Sequence, residues 1–312
     1  MSDQDRPVAD ASAVPAEGAS QPRPRSVAVI PVRGHAALLD GALAALSAQT
    51  VAPDQIVVVD DSPEPVLDLA APVTVVHSGG LGPYGARNTG VAAAADAEVV
   101  LFLDARSRPR PQWVERTLAS FEEPEVGLVG SDTLVLGGPS LAERASEFQQ
   151  FSRLDKYVAD PFFLPYLPTC NLAVRRSDFD AVGGFSGVRS GGDADLCWRL
   201  QVTTGHRLDV VQEVLMEWVP RNEARQLLEQ NYRYGKSHHG LRREWASEGL
   251  EVVPPLPAWR LAARTGKAVL RFGAALPRGG SARAERFVAL AGACFDWGYW
   301  TAHHRDQPVR PG

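Results

Sequence analysis

The stretch SVAVIPVRGHAALLDGALAALSAQTVAPDQIVVVDDSP, residues 26–63, decides the fold. It opens on a β-branched run, VAVIP at 27–31, and passes through ALLDGALAALSAQ, which is apolar at helical spacing up to a turn containing Pro53. It closes on a second run, IVVVD at 56–60. Runs that are apolar at consecutive positions read as strands buried on both faces, and their alternation with amphipathic helices predicts a parallel sheet covered by helices. Further along, VTVV at 73–76 and EVVLFLD at 98–104 repeat the strand signal. ARNTGVAAAA and PQWVERTLASF supply helices, the second with Pro111 suited to a first helical turn, and the strand candidate VGLVGS follows. After Gly137 the pattern predicts a helix through Phe148 and Phe151, a Pro- and Phe-rich loop at 160–168, a short strand NLAVRR and a helix over DADLCWRLQV. From about Pro254 a Pro-rich linker gives way to Arg- and Ala-rich helical sequence.

With 312 residues and 45% apolar content, the chain is long enough for one large α/β core. Residues 1–25 mix Pro, Ala, Ser and charges without periodicity and are expected to form a tail outside it. The expected division is therefore a tail at 1–25, a catalytic-type domain at 26–250, and a linker with a basic helical segment at 251–312. A net charge of -5 speaks against a nucleic-acid partner. Cys170, Cys197 and Cys294 fit neither a disulfide framework nor a metal knuckle, so a reducing cytoplasm is the expected location. No secretory leader and no membrane-spanning run is legible, which leaves peripheral contact with a membrane.

In an open parallel sheet, ligands gather at the carboxyl ends of the strands. Asp60 and Asp61 end the second strand and Asp104 ends the fourth. Carboxylates there accept hydrogen bonds from a ribose or base or hold a divalent cation, or else they make turns and cap helices. The segment GGLGPYGARNTG, residues 79–90, allows close backbone approach, with Arg87 at the start of a helix able to contact phosphate. It has neither Walker nor dinucleotide spacing, so it suggests a phosphate-containing ligand and not hydride chemistry.

Taken in order, SVAVIPVRG, VVVDDSP, GPYGARNTG, FLDARSRPRPQWV, NLAVRRSDFDAVGGF and GGDADLCWRL resemble the motif series of family 2 glycosyltransferases. The resemblance covers roughly residues 26–245. It implies a GT-A, Rossmann-like, mostly parallel sheet with a helical C-terminal appendage. It also implies inverting transfer of a sugar from a UDP- or GDP-sugar to the hydroxyl of a small molecule, lipid carrier, glycan or peptide. Asp60 and Asp61 then match the acidic pair near base and ribose, and Arg87 and Asn88 match positions bordering the nucleotide. Asp104 matches the first acid of the metal-associated DxD element, and Asp193 matches the general base. YRYGKSHHGLRREW, residues 232–245, further resembles the element found in relatives that glycosylate the peptide-derived cofactor mycofactocin.

Three departures from the pattern bear on the cofactor. DAR stands where DxD is usual, so Arg106 replaces the second acid, and a guanidinium cannot ligate Mg²⁺ or Mn²⁺. Glu217 lies near the place of a metal-associated His, and Gly192 precedes Asp193 where an acid is common. Three readings follow. Arg106, held by Glu217, takes over from the cation and contacts the diphosphate. Alternatively, Asp104 and Glu217 keep a cation between them. In the third, Arg106 points to solvent or pairs structurally, and the chain is a weakened relative or a non-catalytic one that binds a nucleotide sugar or a partner protein.

Other residues carry weaker signals. Trp113 and Trp198 fall in helical apolar patterns and are expected in the core, and Cys170 is expected as a small buried hydrophobe. The pairs His238–His239 and His303–His304 lack ligand partners and are expected to be solvated. Arg233 and Lys236 suit either a charged helical face exposed to water, the default for such residues, or contact with the diphosphate or the acceptor. Arg260, Arg264, Lys267, Arg271, Arg278, Arg283 and Arg286, interleaved with apolar residues, suit either an anionic membrane surface or a packed appendage.

Overall fold

Strands β1 (Ser26–Val32), β2 (Gln55–Asp60), β3 (Val73–His77) and β4 (Val99–Leu103) form where the four β-branched runs predict them. The computed structural model describes residues 23–305 other than 35, 70, 71, 151, 152, 189 and 278, so residues 1–22 of the expected tail, Phe151 and Arg278 lie outside the described residues. Residues 23–25 are tied down. Arg23 pairs with Asp54 at 2.8 Å, and the Arg25 amide donates to Glu98.

Helices α1 (Ala36–Ser47), α2 (Gly82–Ala92) and α3 (Trp113–Ser120) alternate with these strands. Two starts differ from expectation. Helix α2 begins at Gly82 with Pro83 in its first turn, which places Arg87 one turn inside it, whereas Pro111 lies just before α3. Strands β5 (Ser107–Pro109), β6 (Val126–Val135), β7 (Asn171–Arg175) and β8 (Arg207–Trp218) complete one sheet of order β3-β2-β1-β4-β7-β6-β8-β5. Strand β1 pairs in parallel with β2 and β4, and β2 with β3. The sheet turns antiparallel on either side of β7, and β8 runs parallel to β6 and antiparallel to β5. Most of β8 is only partly buried, so it carries no continuous apolar run to announce it.

Both faces of the sheet are covered, which is why the strands read as unbroken apolar runs. Val27, Val29, Val57, Val59, Val100 and Phe102 pack on one face with Ala86 and Val91 of α2. Ala28, Ile30, Val58, Leu101 and Leu103 pack on the other with Leu39 of α1 and Trp113 of α3. Trp113 and Trp198 are fully buried, as expected. Asn171 fixes the first residue of β7: its amide donates to the Ser131 carbonyl, Ser131 Oγ and Thr133 Oγ1, and its oxygen accepts from Trp113 Nε1. The amino end of β7 is thereby tied to β6 and α3, and backbone pairing of Asn171 with Leu103 sets it beside the carboxyl end of β4.

The remaining helices are α4 (Leu141–Gln149), α5 (Arg176–Ala181), α6 (Gly192–Thr204), α7 (Ala224–Glu244), α8 (Ala258–Ala275) and α9 (Gly280–Arg305). Although the C-terminal stretch reads as an appendage, α9 lies directly along α7. Gly235 and Gly298 sit at their crossing, where a Cβ would meet the Phe295 and Tyr232 carbonyls respectively. His238, His239 and His303 belong to this seam and not to solvent, while His304 is exposed, as expected. His239 is buried and bonded to His303 at 3.2 Å, His238 lies against Phe162, and His304 stacks on Trp300. Burial, then the Arg242 charge, pushes His238 down to about 4, so it is neutral at pH 7.

Candidate active site

The chain leaves β1 toward β2 on one side and reaches β4 on the other, and the crevice of an open α/β sheet forms at such a switch point. A cavity of about 980 Å³ lies there. Its walls come from the ends of β1, β2 and β4, the loop before α2, the amino end of α6, and α7. Gly80 in the loop before α2 and Gly82 at the first position of α2 adopt φ of 80° and 83°, a left-handed geometry that a side chain would strain.

Asp60 and Asp61 are adjacent in sequence and separate in role. The Asp61 carboxylate, at the cavity wall, accepts from Ser78 Oγ at 2.7 Å and from the Gly82 amide at 3.1 Å, so it holds the glycine loop against the end of β2. Asp60 does not reach the cavity. It is 1% exposed, and its oxygens accept from the backbone amides of Ser62, Val66 and Leu67. Burial alone would raise its pKa, but those bonds, led by Val66, hold it below the usual carboxylate range. Asp60→Ala is therefore expected to cost on the order of 2 kcal/mol in denaturant unfolding, because buried donors lose their acceptor. Asp61→Ala, which releases the Ser78 hydroxyl and the Gly82 amide at a wall that water can reach, should cost less stability than Asp60→Ala and weaken nucleotide diphosphate binding in calorimetry. Equal loss of stability in both variants would contradict this division.

The Arg87–Asn88 pair divides in the same way. Asn88 faces away from the cavity and makes both amide bonds to the backbone of Phe185, which fixes the loop before α6. Arg87 lies in the wall, 2% exposed, donating to Asp104 at 2.5 Å and to the Pro83 carbonyl. Its Nε has no partner among the described residues. Arg87 is thus turned toward Asp104, and its charge is matched by that carboxylate before any ligand arrives.

Arg106 projects into the cavity with its guanidinium donating to the carbonyls of Val219 and Pro220 at 3.3 and 2.9 Å, beside the Trp218 ring. Glu217, expected to hold it, does not. Alternation along β8 turns Glu217 to the opposite side from Trp218, where it accepts two bonds from Arg110. Burial, then the nearby Arg221 charge, makes Arg106 less basic than a free guanidinium. Arg221 and Arg233 share the cavity wall with it. Arg221, just after β8, and Tyr157 carried no motif signal in the sequence, and Tyr84 and Tyr234 lie inside quoted motifs without having been singled out.

A divalent cation needs several oxygen ligands converging on one point. Here Asp104 is bonded to Arg87, Glu217 is bonded to Arg110, and two guanidiniums occupy the adjoining wall. Among the described residues no group of three His, Cys, Asp or Glu converges on a point. Of the two carboxylates expected to hold a cation, Asp104 lines the cavity and Glu217 does not.

Asp193 stands in the first turn of α6 at the cavity wall. Burial raises its pKa above the usual carboxylate value, against the opposing bonds of the helix amides, and Tyr84 donates to it at 3.3 Å. Cys170, also in the wall, is buried and its thiol is pushed well above the usual range, which makes it inert as a nucleophile.

Mostly parallel sheet, switch-point cavity and C-terminal helices together define the GT-A class of α/β fold. The profile of glycosyl transferase family 2 matches residues 27–189, more than half of the 312-residue chain, and the chain belongs to that family. Pre-mycofactocin glycosyltransferase of Mycobacterium tuberculosis (strain H37Rv) is 33% identical over 241 residues, covering 70% of this chain and 49% of that protein. Glycosyltransferase AglE of Haloferax volcanii is 30% identical over 159 residues, 50% of each chain. The chain thus spans about half the length of the curated relatives it matches. Among solved structures, the mannosyltransferase PcManGT from Pyrobaculum calidifontis, in complex with GDP-Man and Mn²⁺, superposes with a TM-score of 0.58 at 17% identity. The match covers 92% of this chain and 89% of that one, and at that identity it speaks for the fold.

Proposed function

We propose that the chain transfers a glycosyl group from a nucleotide-sugar donor to an acceptor hydroxyl with inversion, Asp193 acting as base and arginines in place of a cation. The observation that carries this reading is the pairing, in one cavity, of a desolvated carboxylate on α6 with a wall of guanidiniums that includes Arg87, Arg106, Arg221 and Arg233. The acceptor O–H proton passes to the Asp193 carboxylate as the oxygen attacks the anomeric carbon. The bond from that carbon to the phosphate oxygen breaks on the opposite face, and its electron pair leaves with the nucleoside diphosphate. Raised basicity makes Asp193 a better proton acceptor, while Arg106 and Arg221 face the charge that develops on the diphosphate. Asp61 and the glycine loop are placed to receive the nucleoside.

The structural relative bound to GDP-Man makes GDP the first nucleotide to test, with UDP beside it. Calorimetric titration of GDP, UDP and their sugar conjugates, in EDTA and then with Mn²⁺, tests the reading. Binding in EDTA is expected. Binding seen only with Mn²⁺ would overturn the arginine reading and leave glycosyl transfer standing. No binding under either condition would favour a non-catalytic relative.

A further inference from the structure

We propose that the outer face of α8 docks on an anionic lipid bilayer. Among the described residues, seven of the fourteen exposed large apolar side chains fall within residues 252–276. Only one narrow seam of α8 is covered: Leu261, Ala268 and Ala275 are buried, with Thr265 and Phe272 partly so, facing α9. On the opposite side Trp259 is 68% and Leu270 75% exposed, about three turns apart on one line. The positions between them on that face are Ala262, Ala263 and Gly266, all exposed and all without a polar group. An ordinary surface helix is polar on its solvent side, whereas α8 is apolar there as well.

Charge identifies the partner. Helix α8 carries Arg260, Arg264, Lys267 and Arg271 and no acidic residue. At 100° per residue these four fall in one row along a single flank, between the covered seam and the exposed apolar line. Arg264, the member closest to the seam, is paired with Asp296 of α9, and the other three are exposed. Arg260 lies over the Trp259 ring at 5.1 Å, a cation beside an indole, as at a headgroup boundary. An apolar face flanked by bases is the arrangement of a helix lying in the plane of a bilayer interface, with bases among anionic headgroups. No helix among the described residues is long and apolar enough to cross a membrane, so α8 would lie on the surface. Helix α9, which covers the inner side of α8, also contributes Phe295 to the cavity wall, so the docking face is one helix away from the candidate active site.

The experiment is co-sedimentation of the full chain with phosphatidylcholine vesicles, with and without phosphatidylserine. Binding is expected to the phosphatidylserine vesicles alone and to fall with added salt. The triple variant R260Q/K267Q/R271Q should bind about a hundredfold more weakly, at about fivefold per base. The variant Trp259→Ser with Leu270→Ser should lose vesicle binding while keeping the wild-type unfolding midpoint and GDP or UDP affinity, because these side chains touch neither core nor cavity. Absence of wild-type binding at low salt, or undiminished binding by both variants, would overturn the proposal. So would concentration-dependent dimerisation that shields Trp259, since the face would then belong to a second copy. None of these outcomes depends on whether the cavity binds a nucleotide sugar.

Discussion

Asp193→Asn is expected to lower the turnover number by about 10²- to 10⁴-fold, the usual contribution of a general base, with little change in nucleotide diphosphate affinity. Asn keeps the size and the hydrogen-bonding reach of the side chain and removes only its capacity to take a proton. The pH profile separates a base from a merely structural carboxylate. Burial raises the pKa of Asp193, so the active, ionised form is lost as pH falls to a point above the ordinary carboxylate range, and the acid limb of kcat/KM lies there. That limb should vanish in Asp193→Asn. Stability moves the other way. A carboxyl whose folded pKa is raised binds its proton more tightly in the folded state than in the unfolded one. Its favourable contribution is present below the unfolded value and is lost as pH rises through the folded value. At neutral pH the Asn variant is therefore expected to be no less stable than wild type by denaturant unfolding. An unchanged turnover number, or an unchanged acid limb, would remove Asp193 from the chemistry.

Arg106→Ala is expected to lower kcat by about 10²- to 10³-fold in EDTA, as removal of one preorganised donor facing developing charge does elsewhere. The guanidinium is held by the Val219 and Pro220 carbonyls, so its position is fixed before the donor binds. Arg221 beside it repels it in the free protein, and an arriving diphosphate relieves that repulsion. Added Mn²⁺ should not restore the Ala variant, since Asp104 and Glu217 remain engaged with Arg87 and Arg110. Arg106→Lys should recover only part of the loss, because a single ammonium lacks the fork that addresses two oxygens. Full activity of Arg106→Ala in EDTA would show the residue to be structural.

Much of the site was legible in the chain, though not its division of labour. Asp61, Arg87, Asp104, Arg106 and Asp193 all reach the cavity. Asp60 and Asn88 do not, and nothing local distinguishes them: each neighbours a residue that does, and only the paths of the 62–67 and 183–186 loops draw their side chains away. Glu217 was misplaced because its strand is only partly buried, so the alternation that turns it toward Arg110 is hidden in the sequence. Arg221, Tyr157 and Tyr234 come from distant segments that meet only after folding.

What the sequence determined by itself is the α/β class, the first four strands, the helices between them and the motif order that marks the family, because these rest on burial patterns repeating over a few neighbouring residues. The tertiary structure alone decided which carboxylate faces the cavity, which guanidiniums share its wall, and that α9 packs along α7 while the outer side of α8 is exposed. Those outcomes depend on which surfaces meet when residues far apart in the chain are brought together, and a side chain's charge acts over ångströms of space and not over positions in sequence.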